Sequence, residues 1–434
     1  MNSEDMYELH WNDYIVKNPT GLRIDTSDKK PPSPTFCNHI WTHLYKHTDD
    51  KVKLCCIDKG MPIGDLRSSN LNEIRNSKLV RQIRRDVLDG KRLKRCSVCW
   101  DNEDNNQTSY RISEPTHDYY DETAKPITFL DYRADNICNL ACKICGSDYS
   151  TKLIDVELSL GEINQQTAAK LRRLSKTNIK ISELEPYLRE LNKIYFAGGE
   201  PLISQQHWDI LDTLINKNIS KNIKISYSTN LSTLDFKNYS VENYWPKFKS
   251  CDIMASIDGM DGMFEYFRTG AKWDTTLNNI KRINKINKQY LTINATVGWV
   301  NLNSIIDLFI FLIKNKLLDD PNKFGFNPLY GNFGGRVEET PDIARDELLS
   351  KIDYCISYMR DKFGKRFNIT EVYSQLKLIE TKIINSNSTY KFDSWIRQLK
   401  HNDKRYGTRI NSILTFKNDK INELISDTYN SITT

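Results

Sequence analysis

Cysteine placement restrains this chain more than any other feature. Eight of its ten cysteines precede residue 146 in a chain of 434, and three share one short run, Cys138-Asn139-Leu140-Ala141-Cys142-Lys143-Ile144-Cys145. The run comes just after a strand-like stretch, Ile127–Tyr132, so one loop at a strand end presents all three thiols. Thiolates at spacings of four and three can wrap one compact metal centre. Iron–sulfur clusters ordinarily take four such ligands, so three leave one iron open, as ligation of a substrate or cofactor requires. A structural zinc knot wants a fourth Cys or His close by, and no histidine lies between His117 and His207. Cys251 opens an apolar strand and Cys355 sits in a helical pattern; both are expected to be ordinary buried cysteines.

Around this loop the pattern is one of alternation. Strands are expected at Ile127–Tyr132, Lys193–Phe196, Ile223–Tyr227, Asp252–Ile257, Leu291–Val297 and Lys323–Asn327. Helical stretches such as Gln205–Lys217, Trp273–Asn287 and Ser304–Asn315 lie between them. Strands separated by helices imply a parallel sheet with helical crossovers, and chemistry placed at the C-terminal strand ends. Six such units suit a partial barrel better than a closed eight-stranded one. The expected division is a polar tail over 1–34, a cysteine-rich α+β module over 35–125, an α/β core over 126–335 and a helical region over 336–434. Within the module, Lys51–Ile57 reads as extended and Leu71–Leu88 as one helix ended by Gly90; a polar stretch, 113–125, leads to the core. In the last region, helices are expected at Asp342–Phe363, Thr370–Ile384 and Phe392–Lys400.

The loop Cys138-x3-Cys142-x2-Cys145, with Ile144 before its last cysteine, resembles the signature of the radical S-adenosylmethionine (radical SAM) superfamily. The next strand ends Tyr195-Phe196-Ala197-Gly198-Gly199-Glu200-Pro201, which resembles that family's Gly-Gly-Glu motif. The resemblance covers about 126–330. It implies a partial (β/α)6 TIM-like barrel and a [4Fe–4S] cluster held by Cys138, Cys142 and Cys145, with SAM chelating the unique iron. Electron transfer to the sulfonium then gives a 5′-deoxyadenosyl radical that abstracts a hydrogen atom from the substrate. Gly198, Gly199 and Glu200 are implied at the SAM amino group. Ser228, Asn230, Ser256 and Asp258, at the next two strand ends, are similar to residues contacting its ribose or carboxylate, and Arg268 to an arginine near that carboxylate. Val297-Gly298-Trp299-Val300 falls where the family often packs backbone against adenine, but its glycine pattern is incomplete.

Cys37, Cys55, Cys56, Cys96 and Cys99 form a second set. Cys96-x2-Cys99 has ligand spacing, and neighbouring residues of an extended segment point opposite ways, so one of Cys55 and Cys56 is expected to join Cys37, Cys96 and Cys99. With Trp100, Glu103 and Ser109-Tyr110-Arg111 nearby, the set looks like the twitch or SPASM-type auxiliary domain of some radical SAM enzymes, which holds an extra [4Fe–4S] cluster. Its cysteines precede the core here, whereas better-known members carry that domain after it. Structural zinc is the rival occupant.

Composition narrows the partners. With 39% hydrophobic and 11% aromatic residues a packed core is feasible, and no apolar run nears the roughly 20 residues that cross a bilayer. The N-terminus lacks a signal-peptide apolar segment, so a cytoplasmic location is expected. The +6 charge is modest; its densest basic stretch, Lys78 to Arg95, is expected to be a solvated helix and turn. Aromatics do not interleave with it as a stacking platform would, so a zinc-bearing nucleic-acid-binding protein is the weaker reading. The family resemblance implies a peptide or protein substrate, or else a small molecule or cofactor precursor, and a reductant such as flavodoxin or ferredoxin.

Overall fold

The computed structural model describes residues 15–16, 31–105, 109–112, 120–176, 184–330, 335–386, 392–408, 410 and 416–431. Most of the expected tail over 1–34, and residues 113–119 of the polar stretch, lie outside them. The chain divides into two compact units. One comprises Met1–Asp135, Lys176–Gly198 and Asp209–Ile225; the other Asn136–Ser175, Gly199–Trp208 and Ser226–Thr434.

The first unit holds strands β1 (His43–Lys46), β2 (Lys51–Lys53), β3 (Gly64–Asp65), β4 (Phe129–Arg133) and β5 (Lys193–Ala197), in the sheet order β5-β4-β1-β2-β3. β5, β4 and β1 run parallel, and β1-β2-β3 continue as an antiparallel meander. The cysteine-rich segment therefore donates a parallel strand beside the first core strand, His43 to Lys46 in register with Phe129 to Tyr132. No apolar alternation announces β1, because all four of its residues are buried and both of its ends are basic side chains, His43 and Lys46. His43 stacks on Phe129 with ring centroids 4.4 Å apart, and Lys46 Nζ donates to the carbonyls of Arg133 and Ala134 at 2.9 and 2.8 Å. Phe36, Trp41, Leu54, Ile83, Val87 and Leu93 form the adjoining core.

Three readings of this segment need correction. The extended stretch is only Lys51–Lys53, and Leu71–Leu88 is two helices, Leu71–Arg75 and Lys78–Leu88. Asn70 and Ser77 each cap one, their side chains accepting from Glu73 N and Val80 N. Nor is the basic stretch wholly a solvated face: Lys78, Arg85 and Lys94 are exposed, but Arg84, Arg92 and Arg95 are buried. Arg84 is 1% exposed and donates to the carbonyls of Ile40, Arg75 and Glu122, while Arg95 is paired to buried Asp58 at 2.5 Å. Arg84 thus supplies donors that short helices leave missing at their C-terminal ends. A guanidinium spent in this way is withdrawn from any anionic partner.

The second unit holds β6 (Lys224–Thr229, whose first two residues fall in the first unit), β7 (Ser250–Ser256), β8 (Leu291–Val297) and β9 (Phe324–Pro328), in order β9-β8-β7-β6. β7, β8 and β9 are parallel, and no barrel closes among the described strands. β8 alternates, with Leu291, Ile293, Ala295 and Val297 buried beneath helices and Thr292, Asn294 and Thr296 half-buried on the other face. The helix Leu302–Lys314 is buried along most of its length, and its Phe309 meets Phe324 and Phe326 at 4.9 and 5.5 Å. Helices Asp342–Phe363, Glu371–Ile384, Phe392–Tyr406 and Asp419–Ser431 follow, the third running past the expected Lys400. Cys251 and Cys355 are buried as expected.

Candidate functional site

Two hydrogen bonds hold the cluster loop. Ala141 N donates to Thr269 O and Lys143 N to Phe267 O, both at 2.9 Å, so the loop lies strand-like against the segment flanking Arg268. Its start is fixed from behind: Ser150 Oγ donates to Leu140 O at 2.6 Å and caps the helix Thr151–Ser159 by accepting from Leu153 N. Gly199 closes the third side. A Cβ there would stand 2.2 Å from Ile137 O, while Glu200 N donates to that same carbonyl at 2.7 Å. Only a glycine permits so close an approach one residue before Cys138.

Over the loop lies Arg268. Its Nε donates to Asp258 Oδ2 at 2.7 Å and its Nη1 stands 4.0 Å from Cys142 Sγ. Asp258 is fully buried and also accepts from Thr296 N at 2.7 Å. Burial pushes the Cys142 thiol up to about 11 against the downward pull of Arg268. Burial likewise raises Cys138 to about 12. Asn230 Nδ2 lies 3.8 Å from Cys138 Sγ and donates to Asn139 Oδ1 at 3.2 Å. Buried thiols with a guanidinium and an amide donor beside them suit a centre that stabilises thiolate by its own charge. The nearby carboxylates are spent elsewhere: Glu200 accepts from Thr229 Oγ1, Asn230 N and Leu202 N at 2.7, 2.7 and 3.1 Å. Burial, offset by those bonds, raises its carboxyl to about 7. The available donors are therefore sulfur only, which fits an iron–sulfur centre rather than a hard cation. Among the described residues, no group of three or more His, Cys, Asp or Glu side chains stands at single-metal geometry.

The second unit thus gathers Gly199, Glu200, Asn230, Asp258 and Arg268 around the three thiols. Ser228 and Ser256 stand half-buried near the ends of β6 and β7, Ser256 in register with Asn294. Gly198 belongs to the first unit, where its φ of +118° and the Asp135 carbonyl 2.8 Å from a would-be Cβ explain its lack of a side chain. Gly298 lies under the Gly335 carbonyl, 2.4 Å from where a Cβ would be. Sequence reasoning missed Thr229, Ser150 and Asn301. Asn301 Nδ2 donates to the Asp258 and Thr296 carbonyls and so ties the ends of β7 and β8. Its one sequence signal is its place just before the helix Leu302–Lys314.

In the first unit, Cys37, Cys55, Cys96 and Cys99 line one cavity, and Cys56 does not. Cys56 is exposed and faces Asp131 and Arg133. Burial pushes Cys37 up to about 12, helped by Cys99, and raises Cys55 and Cys96, each helped by its neighbouring thiols. Thiols that resist joint ionisation are stabilised as thiolates only by a cationic centre among them. Around the cavity run two buried ion pairs, Arg95 with Asp58 and Arg111 with Glu103. Arg111 also lies 4.5 Å above the Trp100 ring and donates to Phe36 O at 2.8 Å, which fixes the segments on either side of Cys37 and Cys99.

Residues 37–100 match the SPASM family, an iron–sulfur cluster-binding domain. No curated protein matches the chain. Among solved structures, the chain is similar to anSMEcpe with bound AdoMet and a Cp18Cys peptide, at 17% identity over 55% of this chain and 62% of that one, with a TM-score of 0.33. It is also similar to Streptococcus suis SuiB bound to S-adenosylmethionine, at 17% identity over 55% of this chain and 49% of that one, with a TM-score of 0.34. A SuiB structure bound to the precursor peptide SuiA gives a TM-score of 0.32 at 17% identity, over 56% of this chain and 47% of that one. The chain thus spans less than two thirds of each of these proteins.

Proposed function

We propose that this chain is a radical SAM enzyme with a SPASM-type auxiliary centre, acting on a peptide or protein substrate. The observation that carries this reading is the loop Cys138–Cys145, hydrogen-bonded to the Arg268 segment and pressed against Gly199, with three thiols as its available donors. Cys138, Cys142 and Cys145 would hold a [4Fe–4S] cluster, and Cys37, Cys55, Cys96 and Cys99 a second one within the segment that matches the SPASM family. The chemistry that such a cluster would supply there is one-electron reductive cleavage of the SAM sulfonium, leading to hydrogen-atom abstraction from the substrate.

The chain's own residues shape that site. Arg268 faces Cys142 and offers a cation to a carboxylate bound above the loop, while Asp258 keeps the guanidinium turned inward. Asn230 offers an amide donor beside Cys138. Buried Leu140 and Ala141 keep water away from the back of the loop. A peptide substrate is what the resemblance to SPASM-type radical SAM enzymes implies; SuiB, to which the chain is similar, has been solved with a precursor peptide bound. Flavodoxin or ferredoxin would serve as reductant.

Anaerobic reconstitution with dithionite and SAM tests the proposal. About eight irons per chain are expected for two [4Fe–4S] clusters, with release of 5′-deoxyadenosine. Cys142→Ala should abolish that release while far-ultraviolet circular dichroism stays unchanged, since the thiol sits on a loop. Iron-free protein after reconstitution, or full release by the variant, overturns the reading.

A further inference from the structure

One face of the parallel strands in the first unit is occupied by side chains that neither thiol set uses. Tyr45 on β1 and Tyr195 on β5 stand in register on either side of Asp131 on β4. Arg133, two residues on, shares that face. Its guanidinium carbon lies 5.2 Å from the Tyr45 ring centroid and 5.5 Å from that of Tyr195, and its Nε donates to Asp131 Oδ1 at 3.2 Å. Asp131 is 1% exposed, and the side chain of Arg133 is 18% exposed. Beside Arg133 in the register comes Ala197, a small side chain at the C-terminal strand end.

What distinguishes this arginine is the half of it that is left over. Arg84, Arg95 and Arg111 each spend Nη nitrogens of the guanidinium on carbonyls or carboxylates of the protein. Arg133 spends only Nε, and among the described residues neither of its Nη nitrogens has a hydrogen-bond acceptor. Two tyrosine rings hold the plane and a buried carboxylate sets its rotation, so the paired Nη edge is pre-organised at little further entropic cost. That edge matches a carboxylate, which accepts two parallel N–H bonds. Parallel sheets bind ligands at this end of their strands.

We propose that Arg133, fixed by Tyr45, Tyr195 and Asp131, is a binding site for a carboxylate. The carboxylate handle it would take is an acidic side chain or a peptide's C-terminus.

The test uses three probes with the reconstituted full chain, followed by ligand-observed saturation-transfer NMR. They are acetyl-Ala-Ala-Ala with a free carboxylate, the same peptide amidated, and acetyl-Ala-Glu-Ala amide. At least one carboxylate-bearing probe should bind and the amidated one should not, and the one that binds identifies the source of the handle. Arg133→Gln should weaken that binding roughly 10- to 100-fold, the usual loss of hydrogen bonds to a charged group. Arg133→Lys, which keeps the charge and loses the planar fork, should also lose roughly tenfold or more; it decides the matter if the glutamine variant fails to fold. Equal binding of all three probes, no binding of any, or wild-type affinity in Arg133→Lys overturns the proposal. Release of 5′-deoxyadenosine by the wild-type chain without peptide is measured alongside, so failure of the radical chemistry is read separately from failure of the anchor.

Discussion

Adding one methyl group at Gly199 should cost the protein both stability and iron. The Cβ of Gly199→Ala would stand 2.2 Å from Ile137 O and 2.7 Å from Ile137 C and Asn136 C, all backbone atoms that no rotamer change can move. To reach ordinary contact at 3.4 Å, the turn leading into Cys138 must retreat by about 1 Å. That retreat also breaks the 2.7 Å hydrogen bond from Glu200 N to the same carbonyl. Overpacking costs about 1–3 kcal/mol and the lost bond about 1 kcal/mol, so about 2–4 kcal/mol is expected. A ligand displaced by about 1 Å lies well outside the tolerance of a metal–sulfur bond. Urea unfolding and iron content after anaerobic reconstitution measure the two effects, iron falling from about eight to about four per chain. Gly146→Ala is the control, since a Cβ there meets nothing within 4 Å although the residue follows Cys145 directly. If the two variants unfold at the same urea concentration and carry equal iron, the close-approach argument is wrong.

Other expectations follow from the same geometry. Arg268→Met leaves Asp258 buried without its cation and should destabilise the chain by about 3–5 kcal/mol; adding Asp258→Asn should restore part of that, and an additive double variant in urea unfolding would refute the pairing. Cys55→Ser should lose about half of the reconstituted iron and Cys56→Ser none, because only Cys55 lines the cavity with the other three thiols; iron counts in the opposite order would reverse the assignment. Burial lowers His207 to about 3, where its Nε2 meets Tyr227 OH at 2.9 Å. A lowered histidine pKa means stability that is complete above the unfolded value near 6.5 and is lost as pH falls below it. The loss by pH 5 is about 2 kcal/mol. His207→Phe should therefore flatten the urea midpoint between pH 7 and pH 5, and an unchanged slope would show that the ring titrates normally.

How much of this was legible beforehand depended on whether a signal was local. Leu291–Val297, Trp273–Asn287 and Asp342–Phe363 have the expected bounds, because each carries an uninterrupted apolar period over its own length. The cluster loop and the glycines at 198 and 199 were legible for a similar reason, since ligand spacing and the absence of a side chain are properties of a few consecutive residues. β1 was not legible. His43-Leu44-Tyr45-Lys46 has no strand-like alternation and becomes one through contacts 87 and 88 residues distant, where Lys46 meets the Arg133 and Ala134 carbonyls. The basic stretch misled for the converse reason: Arg84 looks solvated until the helix ends that need its donors come into place.

By itself, then, the sequence marked out candidates for chemistry: the two thiol sets, the glycine pair and the polar strand ends. Tertiary structure alone decided which of them meet. It turned Cys55 rather than Cys56 into the cavity, set Arg268 over Cys142 through Asp258, and committed Glu200 to the backbone beside Asn230. The physical reason is that a residue's type and spacing are fixed by covalent order, whereas its partner, its burial and its charge environment depend on segments that only folding brings alongside.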